Sequence, residues 1–324
     1  MGRLLIIATG LQQRATGGVT MHVHRLLKRL IEPSAPYYSI CDYKKAGFPV
    51  QVMKIRAADV MHIHVTNAFL KLFYVIVGKI CNTRSIITVH GKYGAYGFVK
   101  NRIHYIALKL CDVPVLINKE SYEAVKSFNS RAVFIPAFIP PIDEEEILAP
   151  DIEQEVLNFK PNGKPLMVTN ASRRAFTDDK KEIYGIEFLV KYFSDHSEYS
   201  LIVLDPHSDY QRLFEGKLPK NVKIITGQHS FYGIVKIADV VIRNTPTDGD
   251  SFSVKEALWL HKPILATDAV SRPKGVLLFK YNNDESLSKA IKEAIHPNEN
   301  VTFEEKIDAT EQYYQLYHKM NVIG

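Results

Sequence analysis

An α/β fold of two Rossmann-like, doubly wound domains is predicted by three features of this 324-residue sequence. Short apolar runs alternate with helical stripes through both halves, and a proline-rich, acidic break separates them. The composition, 46% hydrophobic and 23% charged, is that of a soluble globular chain rather than a disordered or fibrous one. At about 100–200 residues per domain, the length accommodates two.

Residues 3–8 form an apolar run that reads as a first strand, followed by a loop containing Gly17-Gly18. Val23, Leu26, Leu27 and Leu30 then recur at i, i+3, i+4 and i+7, the apolar face of a helix. Further strands are predicted at 59–65, 85–89, 113–117 and 132–135, with helices at 68–80, 102–110 and 121–128. Six of the 16 prolines fall between Pro136 and Pro165, with Asp143-Glu144-Glu145-Glu146 among them, which is linker composition. The domains are therefore placed at 1–150 and 151–305. In the second half, strands are predicted at 166–169, 201–204, 222–225, 240–242 and 264–266. Tyr313, Leu316, Tyr317 and Met320 repeat the helical spacing in a closing helix whose simplest use is core packing. Series of βαβ units give parallel sheets, and such sheets bind ligands beyond the carboxyl ends of their strands. Chemistry is expected in the loops after strands, in a cleft between the two domains.

Cys41, Cys81 and Cys111 have no disulfide-framework or zinc spacing. The opening apolar run is too short for a signal-peptide core, and no run of about 18 apolar residues occurs. A cytoplasmic protein is expected. The charge is uneven: residues 1–142 hold 19 Lys+Arg against 6 Asp+Glu, a formal +13, and the remainder hold 22 against 29, a formal −7. The basic half is expected to meet an anionic surface or ligand. No RNP, helix-turn-helix or zinc motif points to nucleic acid, and no GxGxxG points to a dinucleotide. The stretch 91–105 interleaves Lys92, Lys100 and Arg102 with Tyr93, Tyr96, Phe98 and Tyr105, a composition suited to a membrane interface or simply to a solvated loop.

The richest segment runs from Ala238 through a strand into Arg243-Asn244-Thr245-Pro246-Thr247-Asp248-Gly249-Asp250, and then into a helix opening near Ser251–Ser253. The amino end of that helix offers unpaired N–H groups to a phosphate. Asp248 and Glu256, eight positions apart, could both accept hydroxyl hydrogen bonds from a polyhydroxylated ligand. Two other readings stand beside this one. Ser253-Val254-Lys255-Glu256 fits a helix capping box, and Asp248-Gly249-Asp250 resembles a cation-binding DxD. His62 and His64 alternate along a strand and share a face; a metal pair is conceivable, but no third ligand is evident, so core or cleft-edge histidines are the simpler reading. His22, one turn past the glycine loop, could face the cleft.

Asp248 to Glu256-Ala257-Leu258, followed by Lys262-Pro263-Ile264-Leu265-Ala266, resembles the E-x7-E region of retaining, GT-B-fold, family-4 glycosyltransferases, with Asp248 in place of the first glutamate. Gly17-Gly18, Thr88-Val89-His90-Gly91, Asn170-Ala171-Ser172-Arg173-Arg174 and Tyr184-Gly185 are similar to further segments of that family, in the same order. The resemblance implies that residues 306–324 form a helix crossing back to the first domain. It also implies a nucleotide-diphosphate sugar as donor substrate, no cofactor and no metal. Glu256 would hold the ribose; Asp248 would lie beside the anomeric carbon; Asp250, Ser251, Phe252 and Ser253 would cradle the distal phosphate. His90 would reach a sugar hydroxyl or the reacting centre, and Gly17 and Gly18 would contact the phosphates. The implied mechanism retains anomeric configuration, the leaving diphosphate accepting the acceptor's proton while an Arg and a Lys stabilise its charge. Arg173 or Arg174 can supply the Arg. Tyr184 stands where the Lys is expected, leaving Lys180, Lys181 or Arg243 to replace it. The acceptor implied is an anionic or lipid-linked glycan, as in lipopolysaccharide or capsule synthesis, reached by peripheral contact with the inner face of the cell membrane. A nucleotide-sugar epimerase of the same fold and an inactive sugar-nucleotide binder are the alternatives.

Overall fold

The computed structural model describes residues 1–10, 18–142, 146–160, 163–248, 251–296 and 308–324. Gly17, Gly249 and Asp250 lie outside the described residues. The chain divides into two compact units, residues 1–142 with 308–324, and residues 143–307.

The first unit is a six-stranded, wholly parallel sheet in the order β2-β1-β3-β4-β5-β6. Its strands are β1 (Leu4–Ala8), β2 (Tyr38–Asp42), β3 (Val60–Ile63), β4 (Arg84–Val89), β5 (Val113–Leu116) and β6 (Val133–Phe134). Every residue of β1 is buried, because a central parallel strand is covered on both faces. Leu4, Ile6 and Ala8 point into one core, with the Val23, Leu26, Leu27 and Leu30 stripe. Leu5 and Ile7 point into the other, among residues of the helices Phe48–Arg56, Ala68–Cys81 and Phe98–Leu110. The closing helix, Thr310–Lys319, returns to this unit and buries Tyr313, Leu316, Tyr317 and Met320 in the first of these cores.

The second unit is also six-stranded and parallel, in the order β12-β11-β10-β7-β8-β9. It comprises β7 (Leu166–Asn170), β8 (Ser200–Asp205), β9 (Val222–Thr226), β10 (Val240–Arg243), β11 (Ile264–Thr267) and β12 (Val276–Phe279). Helices cover both faces, with Ile186–Asp195 and Asp284–Ile295 on one and Phe231–Ile237 and Phe252–Trp259 on the other. Each sheet has one point where strand order reverses, between β1 and β3 in the first and between β7 and β10 in the second. The chain leaves those neighbouring strands in opposite directions, opening a crevice at their carboxyl ends. Among the described residues, no helix is long and apolar enough to cross a membrane.

Candidate functional site

In the second unit, the switch point brings together the loops after β7 and β10. Arg243 ends β10 and makes a two-pronged contact with Asp248, Nε to Oδ2 at 3.2 Å and Nη2 to Oδ1 at 3.0 Å. Arg272, in the loop after β11, donates from Nη1 to Asp248 Oδ2 at 2.7 Å and from Nε to the Thr267 carbonyl at 3.1 Å. The Arg272 and Asp248 side chains are only 4% and 5% exposed. Burial opposes ionisation of Asp248, and the two guanidiniums more than offset it, holding its pKa below the usual carboxylate range. The cluster thus carries two positive charges around one negative in a poorly hydrated place. Removing one partner of such a set is costly, because it leaves charge buried and unpaired.

Tyr184, at the position where the family resemblance puts a lysine, presents its ring to Arg243, whose guanidinium carbon lies 5.1 Å from the ring centroid. The Tyr184 hydroxyl is 2.6 Å from Ser172 Oγ, which ties the loop after β7 to the same cluster. Gly185 has φ +55°, and a Cβ there would stand 2.1 Å from Asn244 Nδ2. Glycine is therefore required on two counts, the left-handed backbone and the close approach of the loop after β10.

The helix Phe252–Trp259 begins four residues beyond Asp248, with Ser251 at its N-cap position. Its first i to i−4 bond runs from Lys255 N to Ser251 O, so the N–H groups of Phe252, Ser253 and Val254 precede the helical ladder. Ser253 lies inside the helix, and Glu256 is its fifth residue, in the second turn, 4% exposed. The capping-box reading needs Ser253 at the N-cap, and the helix starts too early for it. Of the other candidate cations, Lys181 is exposed and pairs with Asp179 at 2.7 Å. Arg174 pairs with Glu187 at 2.8 Å, and Arg173 is exposed. Gly18 is the first residue of the helix Gly18–Leu26 and is exposed.

In the first unit, the carboxyl ends of β3 and β4 and the helix after β1 gather histidines. His62, on β3, is fully enclosed, with Nδ1 2.6 Å from the Tyr317 hydroxyl and Nε2 2.7 Å from Thr88 Oγ1. His64 Nδ1 lies 3.0 Å from His90 Nε2, and His22 Nδ1 lies 2.6 Å from the Ala137 carbonyl. The rings of His22, His64 and His90 have centroids 5.1–5.5 Å apart. His22 and His64 are buried, and His90 is partly exposed. Burial, reinforced by the neighbouring imidazoles, pushes the pKa values of His62, His64 and His90 well below the ordinary histidine value.

Sequence reasoning missed Arg272, although a loop directly after a strand was the right place to look. The reading of His62 as a core histidine holds, its ring centroid 4.0 Å from that of His64; alternation along one strand did not show that His64 also meets His90 and His22, residues contributed by other elements.

Neither a protein-family model nor a curated protein sequence matches this chain. Among solved structures it is similar to HepE from Anabaena in complex with UDP, at 12% identity and TM-score 0.72, over 99% of this chain and 100% of that one. It is similar to sucrose-phosphate synthase from Thermosynechococcus elongatus, at 14% identity and TM-score 0.67, over 98% and 99% of the two chains. It is also similar to UDP-GlcNAc 2-epimerase from Methanocaldococcus jannaschii, at 13% identity and TM-score 0.63, again over 98% and 99%. Likeness at such identities concerns architecture, and the architecture of this chain is GT-B, a pair of Rossmann-like domains with a C-terminal helix returning to the first.

Proposed function

We propose that this protein is a glycosyltransferase that takes a sugar from a nucleotide-diphosphate sugar, retains its anomeric configuration, and needs no metal for the transfer step. The observation that carries the reading is the Arg243–Asp248–Arg272 cluster at the switch point of the second sheet, three residues before a helix amino end. A leaving diphosphate gathers negative charge in the transition state. Preoriented guanidiniums and the N–H groups of a helix amino end stabilise that charge without reorganising. Arg is suited to this because its fork engages two oxygens at once.

In this reading, Arg243 and Arg272 neutralise the diphosphate, and Asp248 fixes their orientation beside the departing sugar. The amino end formed by Ser251, Phe252 and Ser253 receives the distal phosphate, and Glu256 holds the ribose hydroxyls. His90 is assigned a contact with the transferred sugar. The solved structures named above were determined with UDP or belong, by name, to enzymes of sugar-phosphate and UDP-sugar chemistry, which favours the same donor class. The test is a thermal-shift screen against UDP-, GDP- and ADP-sugars, since a ligand that binds only the native state raises its midpoint. A midpoint unmoved by all three defeats the proposal.

The acceptor is a lipid-linked or surface-polysaccharide glycan at the cytoplasmic face of the membrane. Support comes from neighbouring helices of the first unit. Phe98 and Ile80 are 80% and 79% exposed, with Phe48, Met53, Phe69 and Val99 also exposed. On the helix Phe98–Leu110, exposed Phe98, Arg102, Ile106 and Lys109 follow one another at helical spacing, an apolar and basic stripe of the kind that lies on anionic lipid. The likeness to an epimerase keeps one second reading in view. Incubation with donor alone separates the two, for an epimerase converts it and a transferase requires an acceptor.

A further inference from the structure

We infer that His22, His64 and His90 form a binding site for one transition-metal ion, of the zinc or cobalt class, in the first unit. The site does not depend on the transfer reaction proposed above. One ligand nitrogen from each of the three residues can be chosen so that all lie within 4.8 Å of one another. In a tetrahedral zinc site with Zn–N of about 2.0–2.1 Å, ligand nitrogens stand roughly 3.3 Å apart. His64 Nδ1 and His90 Nε2 stand 3.0 Å apart, so these two rings already meet.

Three independent features favour a ligand there. First, the residues come from three elements that converge at the switch point of the first sheet, where an α/β sheet opens to ligands: the helix Gly18–Leu26, the end of β3 and the end of β4. Second, the Ala137 carbonyl lies 2.6 Å from His22 Nδ1. A carbonyl accepts the Nδ1 proton, which places the ring's lone pair on Nε2; this is the second-shell contact that orients a ligating histidine. Third, His64 is 2% exposed, and its Nε2 has no hydrogen-bond partner among the described residues. A buried ring that fails to satisfy both nitrogens is costly as a purely structural residue.

His62, which touches the same cluster, is not a ligand, since Tyr317 and Thr88 occupy both its nitrogens. Of the three, His90 is partly exposed, and a three-histidine zinc site takes a water as its fourth ligand. With no thiolate or carboxylate in the set, nitrogen-preferring Zn2+, Co2+, Ni2+ or Cu2+ fits, and Mg2+ or Ca2+ does not. When the ion is bound, His90 is a ligand, so the sugar contact assigned to it belongs to the metal-free protein.

The full chain, carrying no affinity tag, is stripped with EDTA and titrated with Zn2+ and separately with Co2+. One equivalent is expected to bind, with the intense visible absorption of four- or five-coordinate cobalt. His22→Ala and His64→Ala are each expected to weaken binding by about 100-fold or more, whereas His24→Ala, on the same helix as His22, leaves it unchanged. X-ray absorption of the zinc-loaded wild type guards against a variant that misfolds, and it should show a nitrogen shell with about three imidazoles. The proposal fails if no stoichiometric binding occurs. It fails equally if binding survives both substitutions in folded protein, or if the zinc shell contains sulfur or fewer than two imidazoles.

Discussion

At the scale of single residues, Asp248 is held by three N–H donors from two arginines at 5% exposure, so its charge and its geometry are both in use. Asp248→Asn keeps the shape and removes the charge, leaving two buried guanidiniums without a counter-ion. We expect a loss of about 3–5 kcal/mol in denaturant unfolding, together with loss of the donor-induced thermal shift. Glu256→Gln behaves differently. The helix begins at Phe252 with Ser251 at its N-cap, so Glu256 is not the glutamate of a capping box, and its proposed work is on the ribose. Donor affinity is expected to fall by roughly 10–100-fold, the value of one or two hydrogen bonds to a charged acceptor, in a binding titration. Asp248, Arg243 and Glu256 were legible as candidates because the polar loop between a strand and a helix stands out in sequence. Arg272 was not, because nothing local ties Ser271-Arg272-Pro273 to a residue 24 positions earlier. The contact exists only because β11 lies beside β10.

At the scale of elements, Gly185 begins the turn into the helix Ile186–Asp195 at φ +55°, with no room for a Cβ beside Asn244. Gly185→Ala is therefore expected to destabilise by more than about 1 kcal/mol and to weaken donor binding through the displaced loop after β10; calorimetry with and without donor checks both. The helices Ala68–Cys81 and Phe98–Leu110 are joined by Lys71, whose Nζ stands 3.1 Å from His104 Nε2. Burial lowers the Lys71 pKa to about 8 from an ordinary 10.5. Between those values the unfolded chain binds the proton and the native one does not, so stability rises with pH from about 8 to 10.5. Below about 8 both states are protonated and the cost of the buried charge is fully present. In melts across this window, Lys71→Met should flatten the slope seen in the wild type. The central strands were readable as apolar runs because both their faces are buried. β2 and β12 were not read at all. Both are edge strands, and their residues are mostly exposed or half-exposed. In β2, Ser39 and Asp42 interrupt the apolar residues, so no continuous run marks it.

At the scale of the whole molecule, the basic first half and its exposed aromatics predict sedimentation with anionic vesicles and not with neutral ones. Binding should weaken as salt rises from 50 to 500 mM, because screening shortens the reach of each lysine and arginine. Phe98→Asp is expected to weaken it further without altering donor binding, since Phe98 belongs to the first unit and the arginine cluster to the second. Transfer should continue in excess EDTA, because guanidiniums and helix N–H groups, not a cation, are proposed to meet the diphosphate.

From the amino-acid order alone came the two βαβ series, the parallel sheets they require, and the position of the polar loops after the strands. These are short-range properties: a repeat of apolar residues fixes which faces are buried, and right-handed crossovers fix how successive strands lie. Which side chains meet was decided only by the tertiary fold. Arg243 and Arg272 enclose one carboxylate because β11 lies beside β10, and His22, His64 and His90 share one corner because the helix after β1 and the ends of β3 and β4 meet there. Charge pairing and ligand geometry depend on separations of a few ångströms, and those are set by strand order, which no local pattern of residues encodes.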